Sequence, residues 1–424
     1  MSVLFLKIAI ALAGSLVTIG VVRFRKTIDQ VSMRQQGPIL LTVFVLLRIL
    51  PFIVVYMLMG QKSGSDIPVF YDAALQAMQG KVVYRDFWTP YSPLFPYVTT
   101  LLLPFWNSPN AIVLLMILME GVALWLTWRA YRTEIRGLFL RMLTYLTLVG
   151  PMVLCVLGGQ EDIWMWLFGA LSVLVWQRTN DSLWIGVVLA LALIFTKALP
   201  VLLVIPLLFL VEKPVRYIIG LAITGLPALG ILVALVGTKF TTPMSIAELP
   251  FAPNLWTVLS PITGDFRSYS SLLLWGGVGL TVIVTTLGAM ILKQRMSYAK
   301  ALPVLWTLCF CFMMFIHKNS FSNYAFIFLM PMLLNTVDLR SRRQVAVLIL
   351  FNALVVIQPS YWWRMGNPIF TQWSDLTSMA NLIEYAMELT IMGCLVYFLH
   401  HLYQMISHNQ FQHANTPAEF PTTR

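Results

Sequence analysis

The chain is poor in charge: Asp, Glu, Lys and Arg make up only 11% of its 424 residues, where a soluble domain carries about a quarter. No polar stretch is long enough to fold as a separate soluble domain. There is no Walker A loop, no G-x-S-x-G elbow, no H-E-x-x-H and no dinucleotide fingerprint, so nothing points to a nucleotide or redox cofactor. No basic stripe with interleaved aromatics is present, which argues against nucleic acid as a partner. Only four cysteines occur, Cys155, Cys309, Cys311 and Cys394, all inside apolar runs. Cys309 and Cys311 point to nearly opposite sides of a helix and cannot share a metal; the four read as buried small apolar residues. The absence of an internal repeat weighs against a repeat-built transporter.

What the chain does have is apolar length. It is 59% hydrophobic with a mean hydropathy of +0.80. Spanning helices need about twenty apolar residues, fewer inside a bundle, and about thirteen candidates result. They are 3–22, 39–59, 110–128, 138–157, 160–177, 183–196, 198–211, 215–237, 270–292, 301–316, 323–337, 344–358 and 383–403. The break within 183–211 falls at Lys197 and Pro200, because a charge is costly mid-bilayer and a turn at the membrane face is cheaper. The expected fold is an all-α polytopic membrane bundle.

Positive charge orients it. With the N-terminus outside, eighteen of the 28 Lys and Arg residues fall on inside segments and eight outside, as the positive-inside rule requires. The net charge of +11 therefore reports cytoplasmic loops. The run Val3–Val22 carries its positive cluster (Arg23, Arg25, Lys26) after it, the pattern of a retained helix and not of a cleaved signal peptide.

The layout divides into an N-terminal helix with its basic loop (1–38), a core (39–237), a C-terminal helical module (238–403) and a disordered cytoplasmic tail (404–424). Three outer loops are long: 60–109, 238–269 and 359–382. Loops that long in a compact protein are usually functional. The first carries Asp66, Asp72 and Asp86, then a helical stretch Phe70–Gly80. There Val69, Ala73, Ala77 and Met78 form an apolar stripe suited to the membrane surface.

Several polar residues sit at span ends or within spans. Asp66, just past the second span, suits a general base on a hydroxyl, or is a solvated loop aspartate. Lys197, His317 and Lys318 lie at headgroup level, where they hold a lipid phosphate or merely anchor the chain. Gln160, Glu161 and Asp162 open the fifth span; side by side on a helix the two acids diverge by about 100° and do not chelate one ion. Arg48, Glu120, Glu384 and Glu388 lie within apolar runs, where charges nearly always pair inside the bundle. Glu384 and Glu388, four apart, share one helix face.

The first outer loop resembles that of the GT-C membrane glycosyltransferases, family 87 in particular, and that of the first mannosyltransferase of the glycosylphosphatidylinositol pathway. The residues are Ser65-Asp66-Ile67-Pro68-Val69-Phe70-Tyr71-Asp72-Ala73-Ala74, then Gly80, Tyr84, Asp86-Phe87 and Tyr91-Ser92-Pro93-Leu94. Gly159-Gln160-Glu161-Asp162 resembles the family's G-Q-x-D, Thr196-Lys197-x-x-Pro200 its K-x-x-P turn, and His317 to Tyr324 with Pro331 its late polar loop. The likeness covers roughly residues 39–335, and each motif falls on the outer face of the charge-derived topology. Relatives often carry Y-P-P where this chain has Tyr91-Ser92-Pro93, which bears on the subfamily.

The resemblance implies inverting transfer of a sugar, commonly mannose, from a polyprenyl-phosphate donor to a lipid or glycan acceptor at the extracytoplasmic face, as in a bacterial inner membrane. Asp66 matches the catalytic aspartate. Asp72, Tyr91, Gln160, Asp162, Lys197, His317 and Lys318 match the substrate-binding set, the lysines and histidine suiting the donor phosphate. No cofactor is required by this scheme and no metal ligand set is expected, although in some relatives the positions of Asp66 and Asp72 form part of a divalent-cation site. The competing readings are a lipid or solute transporter, which needs a polar path the inner half-spans scarcely offer, and a non-catalytic membrane subunit.

Overall fold

The computed structural model describes residues 3–241 and 249–408. They are helical throughout, without a named strand among the described residues. In chain order the elements are α1 (Val3–Arg23), α2 (Met33–Leu58), α3 (Ile67–Met78), α4 (Pro109–Tyr131), α5 (Leu138–Leu157), α6 (Ile163–Thr179), α7 (Ser182–Phe195) and α8 (Leu199–Leu210). Then follow α9 (Pro214–Val236), α10 (Leu255–Thr263), α11 (Ser270–Arg295), α12 (Tyr298–Ile316), α13 (Ala325–Asn335), α14 (Arg342–Arg364) and α15 (Met379–His408). Among the described residues, eight helices are long and apolar enough to cross a membrane, and nine when the bent α5 counts as one span. The chain is a multi-pass membrane protein.

The expected spans 160–177, 183–196, 198–211 and 323–337 appear as α6, α7, α8 and α13, each too short to meet that criterion alone. α13 is short and enclosed: Phe326 to Met330 are wholly covered by protein, so this helix meets neighbours and not lipid, whereas α7 and α8 leave Trp184, Val201 and Ile205 exposed. The last helix runs further than expected. Residues 404–408 continue α15, with Met405 and Ile406 buried and Arg295 donating to the Ile406 and Ser407 carbonyls. The rest of the expected tail, 409–424, lies outside the described residues.

Prolines shape two spans around one buried ion pair. Pro51 has no N–H for the carbonyl of Leu47, and α2 is π-helical on either side of it, over Val45–Ile49 and Ile53–Leu58. Arg48 fills the gap: its Nη1 donates to the Leu47 oxygen at 3.1 Å and to the Leu146 oxygen at 3.2 Å. Leu146 stands at the 55° bend of α5, where Pro151 offers no N–H to Thr147. Arg48 Nε and Nη2 grip both oxygens of Glu120 on α4, at 2.7 and 3.0 Å, with neither side chain exposed. Of the four intramembrane charges, Arg48 and Glu120 pair as expected, whereas Glu384 takes a neutral partner, Gln358, instead of a cation.

At one end of the bundle the long loops meet. The 88–98 segment bonds to the end of α7, Ser92 N–H to the Thr196 oxygen (3.3 Å) and Leu94 N–H to the Ile194 oxygen (3.1 Å). The segment after residue 249 bonds to the 317–324 loop through Asn254 Nδ2 and the Lys318 oxygen (3.0 Å). α3 packs onto this end with Ile67, Phe70, Ala73, Ala74 and Ala77 buried. This corrects the expected surface stripe: Ala73 and Ala77 face protein, whereas Val69 and Met78 are exposed. Periodicity identifies an apolar face but not what covers it, and the Phe70 ring, 4.9 Å from Tyr91 and 5.1 Å from Phe95, decides the rotation.

Candidate functional site

Asp66 caps the start of α3, half-exposed, after Ser65 in a left-handed conformation (φ 54°). Gln160 holds it from the loop between α5 and α6. Its Nε2 donates to Asp66 Oδ2 at 2.9 Å and reaches Ser65 Oγ at 3.2 Å, while its Oε1 accepts from Asn323 Nδ2 at 2.5 Å. One amide therefore ties three loops together and leaves Asp66 Oδ1 outside that bond.

The loop reaches Asp66 because of Gly159, which adopts φ 60° and would set a Cβ 2.3 Å from Ile67 Cδ1. Gly159→Ala adds left-handed strain of about 1–3 kcal/mol and pushes on the residue next to Asp66. The expected result is a lower midpoint of thermal unfolding in detergent; an unchanged midpoint contradicts the close approach.

Beside this relay lies a buried charge cluster. Lys197 Nζ sits 2.5 Å from Glu161 Oε1 and 2.7 Å from Asp162 Oδ1, and 5.3 and 5.6 Å from the ring centroids of Tyr91 and Tyr324. Glu161 and Asp162 lie in the turn before α6, not in the helix, so both carboxylates reach one cation. This corrects the expectation that they diverge: the 100° rule holds only once helical geometry begins. Burial pushes the Glu161 carboxyl up to about 7; the Lys197 ammonium opposes this, and the charges of Asp162 and Asp66 add to it. Burial and the Asp66 charge likewise raise Asp162 against the pull of Lys197. Burial alone would lower Lys197, but Asp162 and Glu161 outweigh it and hold the ammonium well above its ordinary value. Glu161 Oε2 and Asp162 Oδ2 are buried without a hydrogen-bond partner.

Tyr91 is fixed by stacking on Phe95 (4.5 Å), and the Tyr84 hydroxyl donates to its carbonyl. Five expected residues, Asp66, Tyr91, Gln160, Asp162 and Lys197, therefore converge. Three lie apart. Asp72 is exposed on α3. His317 ends α12 and bonds to Asn319. Lys318 donates to Ser270 at the start of α11, and its carbonyl accepts from Asn254.

Asn323 and Tyr324 join the site without having been singled out for it, as does Glu161, named in the sequence only as one of the acids opening the fifth span. Asn323 and Tyr324 sit in the 317–324 loop, and Ser322 in that loop donates to Gln358 (2.6 Å), which donates to Glu384 (2.6 Å). The buried acid of α15 thus braces the loop that braces Gln160. Among the described residues no three His, Cys, Asp or Glu are grouped to hold a metal ion. Compared with family models and with curated proteins, the chain matches none.

Proposed function

We propose that the protein is a membrane glycosyltransferase that moves a sugar, mannose in the first instance, from a polyprenyl-phosphate donor to a lipid or glycan acceptor. The observation that carries this reading is the Asp66 carboxylate, half-exposed, oriented by Gln160 and set beside the buried Lys197 cluster with its aromatic flanks. The proposed topology counts thirteen passes, with the N-terminus and the loop-rich end outside and the C-terminus in the cytoplasm. The acceptor hydroxyl gives its proton to Asp66 as its oxygen attacks the anomeric carbon. The bond from that carbon to the phosphate oxygen breaks, and polyprenyl phosphate leaves with the electron pair, inverting the centre. Lys197 supplies a cation beside the relay, held by Glu161 and Asp162; Gln160 and Asn323 act by positioning Asp66.

Lys197 already faces two acids, and an anionic donor competes with them. Below about pH 7 Glu161 takes up a proton, leaving Lys197 opposed by Asp162 alone. The donor KM is therefore expected to fall as pH drops through 7, and Glu161→Gln to hold it low on both sides. An identical pH profile in wild type and variant contradicts this role.

The function is tested by supplying the purified protein with polyprenyl-phosphate mannose and a crude lipid acceptor extract. Radiolabel appearing in the acceptor supports transfer. Movement of the labelled donor across liposomes, without transfer, replaces the reading with transport.

A further inference from the structure

At the same end of the bundle, a cavity of about 330 Å³ opens between the segment after residue 249 and the end of α14. That volume is at the small end of the roughly 300–1,000 Å³ typical of small-molecule sites. Its walls are aromatic. Phe251, Trp362 and Trp363 line it, and Phe321 packs behind them, 5.6 Å from both Phe251 and Trp362. Trp362 is held by its Nε1 donating to the Pro368 oxygen at 2.9 Å, while Trp363 stands 54% exposed.

Leu249, Pro250 and Ile369 add aliphatic surface, and two polar residues complete the lining. Arg267 is already neutralised by Asp265, its Nε 2.8 Å from both carboxylate oxygens and its Nη2 2.6 Å from one. Asn367, held at φ 61°, carries a buried amide oxygen with no hydrogen-bond partner. The polar edge therefore offers donors and acceptors with no net charge. An anion would meet Asp265 beside Arg267, and an acyl chain would cover the aromatic walls but make no bond to the Arg267–Asp265 rim. A neutral ring with apolar faces and hydroxyl edges satisfies both walls and rim.

We infer that this cavity binds a neutral saccharide ring, and that the ring belongs to the acceptor. The second half of the inference rests on the transferase reading; the first does not. The cavity connects to Asp66 through the 317–324 loop. Phe321 backs the cavity and Asn323, two residues on, bonds to the amide that orients Asp66. Two residues of chain reach at most about 7 Å.

The test uses the full-length protein in detergent and ligand-observed NMR titration with methyl α-D-mannopyranoside, methyl β-D-glucopyranoside, N-acetylglucosamine and, separately, inorganic phosphate. Saturable binding of at least one glycoside is expected. Trp363→Ala should weaken it about tenfold or more, Trp363→Phe should restore most of it, and Asp66→Asn should leave it unchanged. In the transfer assay Trp363→Ala should raise the acceptor KM and leave the donor KM alone. No glycoside binding, equal binding by Trp363→Ala, or binding of phosphate alone overturns the saccharide site. Glycoside binding by a wild type that transfers no sugar leaves the saccharide site standing and removes its acceptor role along with the transferase reading. Transfer without glycoside binding overturns the saccharide site alone.

Discussion

Asp66→Asn is expected to lower sugar transfer by roughly 10²–10⁴-fold, the usual contribution of a positioned general base, with donor binding largely kept. The substitution is nearly isosteric. An asparagine carbonyl still accepts from Gln160 Nε2, which bonds to Asp66 at 2.9 Å, so the relay to Asn323 persists and the fold should not change. Only the ability to take the acceptor proton is lost. Thermal unfolding of the variant, measured beside wild type, separates this from misfolding. Transfer at the wild-type rate by a folded Asp66→Asn protein removes Asp66 from the chemistry. Gln160→Leu provides the contrast: it keeps the base but unties it, so the expected loss is smaller and is accompanied by a lower unfolding midpoint.

The largest effect on stability is expected from Glu120→Ala. Arg48 is wholly buried, and Glu120 supplies two of its bonds, at 2.7 and 3.0 Å. Removing the carboxylate strands a guanidinium among apolar helices, at about 3–5 kcal/mol. The Arg48→Met, Glu120→Leu double variant removes both charges together, and most of the loss should return. The Leu47 and Leu146 carbonyls, which Arg48 also serves, keep the recovery incomplete. Reversible unfolding in mixed micelles measures both; a double variant no more stable than Glu120→Ala would show that the carbonyl bonds, not the ion pair, hold α2 in place.

Local patterns in the sequence were enough to find the long helices, because twenty apolar residues in a row have few other uses. The resemblance of the outer-loop motifs named Asp66, Tyr91, Gln160, Asp162 and Lys197 together, and these five do converge. What local patterns could not supply is long-range pairing. Gln160 is 94 residues from Asp66 and 163 from Asn323, and an amide in a loop gives no sign of which partners it will take. Glu161 was visible as an acid beside Asp162, but its reach to Lys197 depends on the helix starting at Ile163, three residues later than the helix reading allowed. Lys318 and His317 were assigned from their level in the membrane and from the resemblance of their loop. That level is shared by every residue around the rim of the bundle, so it could not say which neighbours they would meet. The rotation of α3 failed for a related reason: Ile67, Phe70 and Ala74 are as apolar as Val69 and Met78, and only tertiary packing chooses between the two faces.

The Arg48–Glu120 pair also bears on how the protein is made. The two residues are 72 positions apart, and at about 5–20 residues per second Arg48 is synthesised roughly 4–14 s before its counter-ion. During that interval α2 carries an unpaired guanidinium, worth about 2.5–3.5 kcal/mol against insertion at the bilayer centre. It enters on the strength of its 26-residue length and settles only when α4 arrives. The ion pair thereby sets an order of assembly, in which the second membrane helix is provisional until the next long one has been threaded beside it.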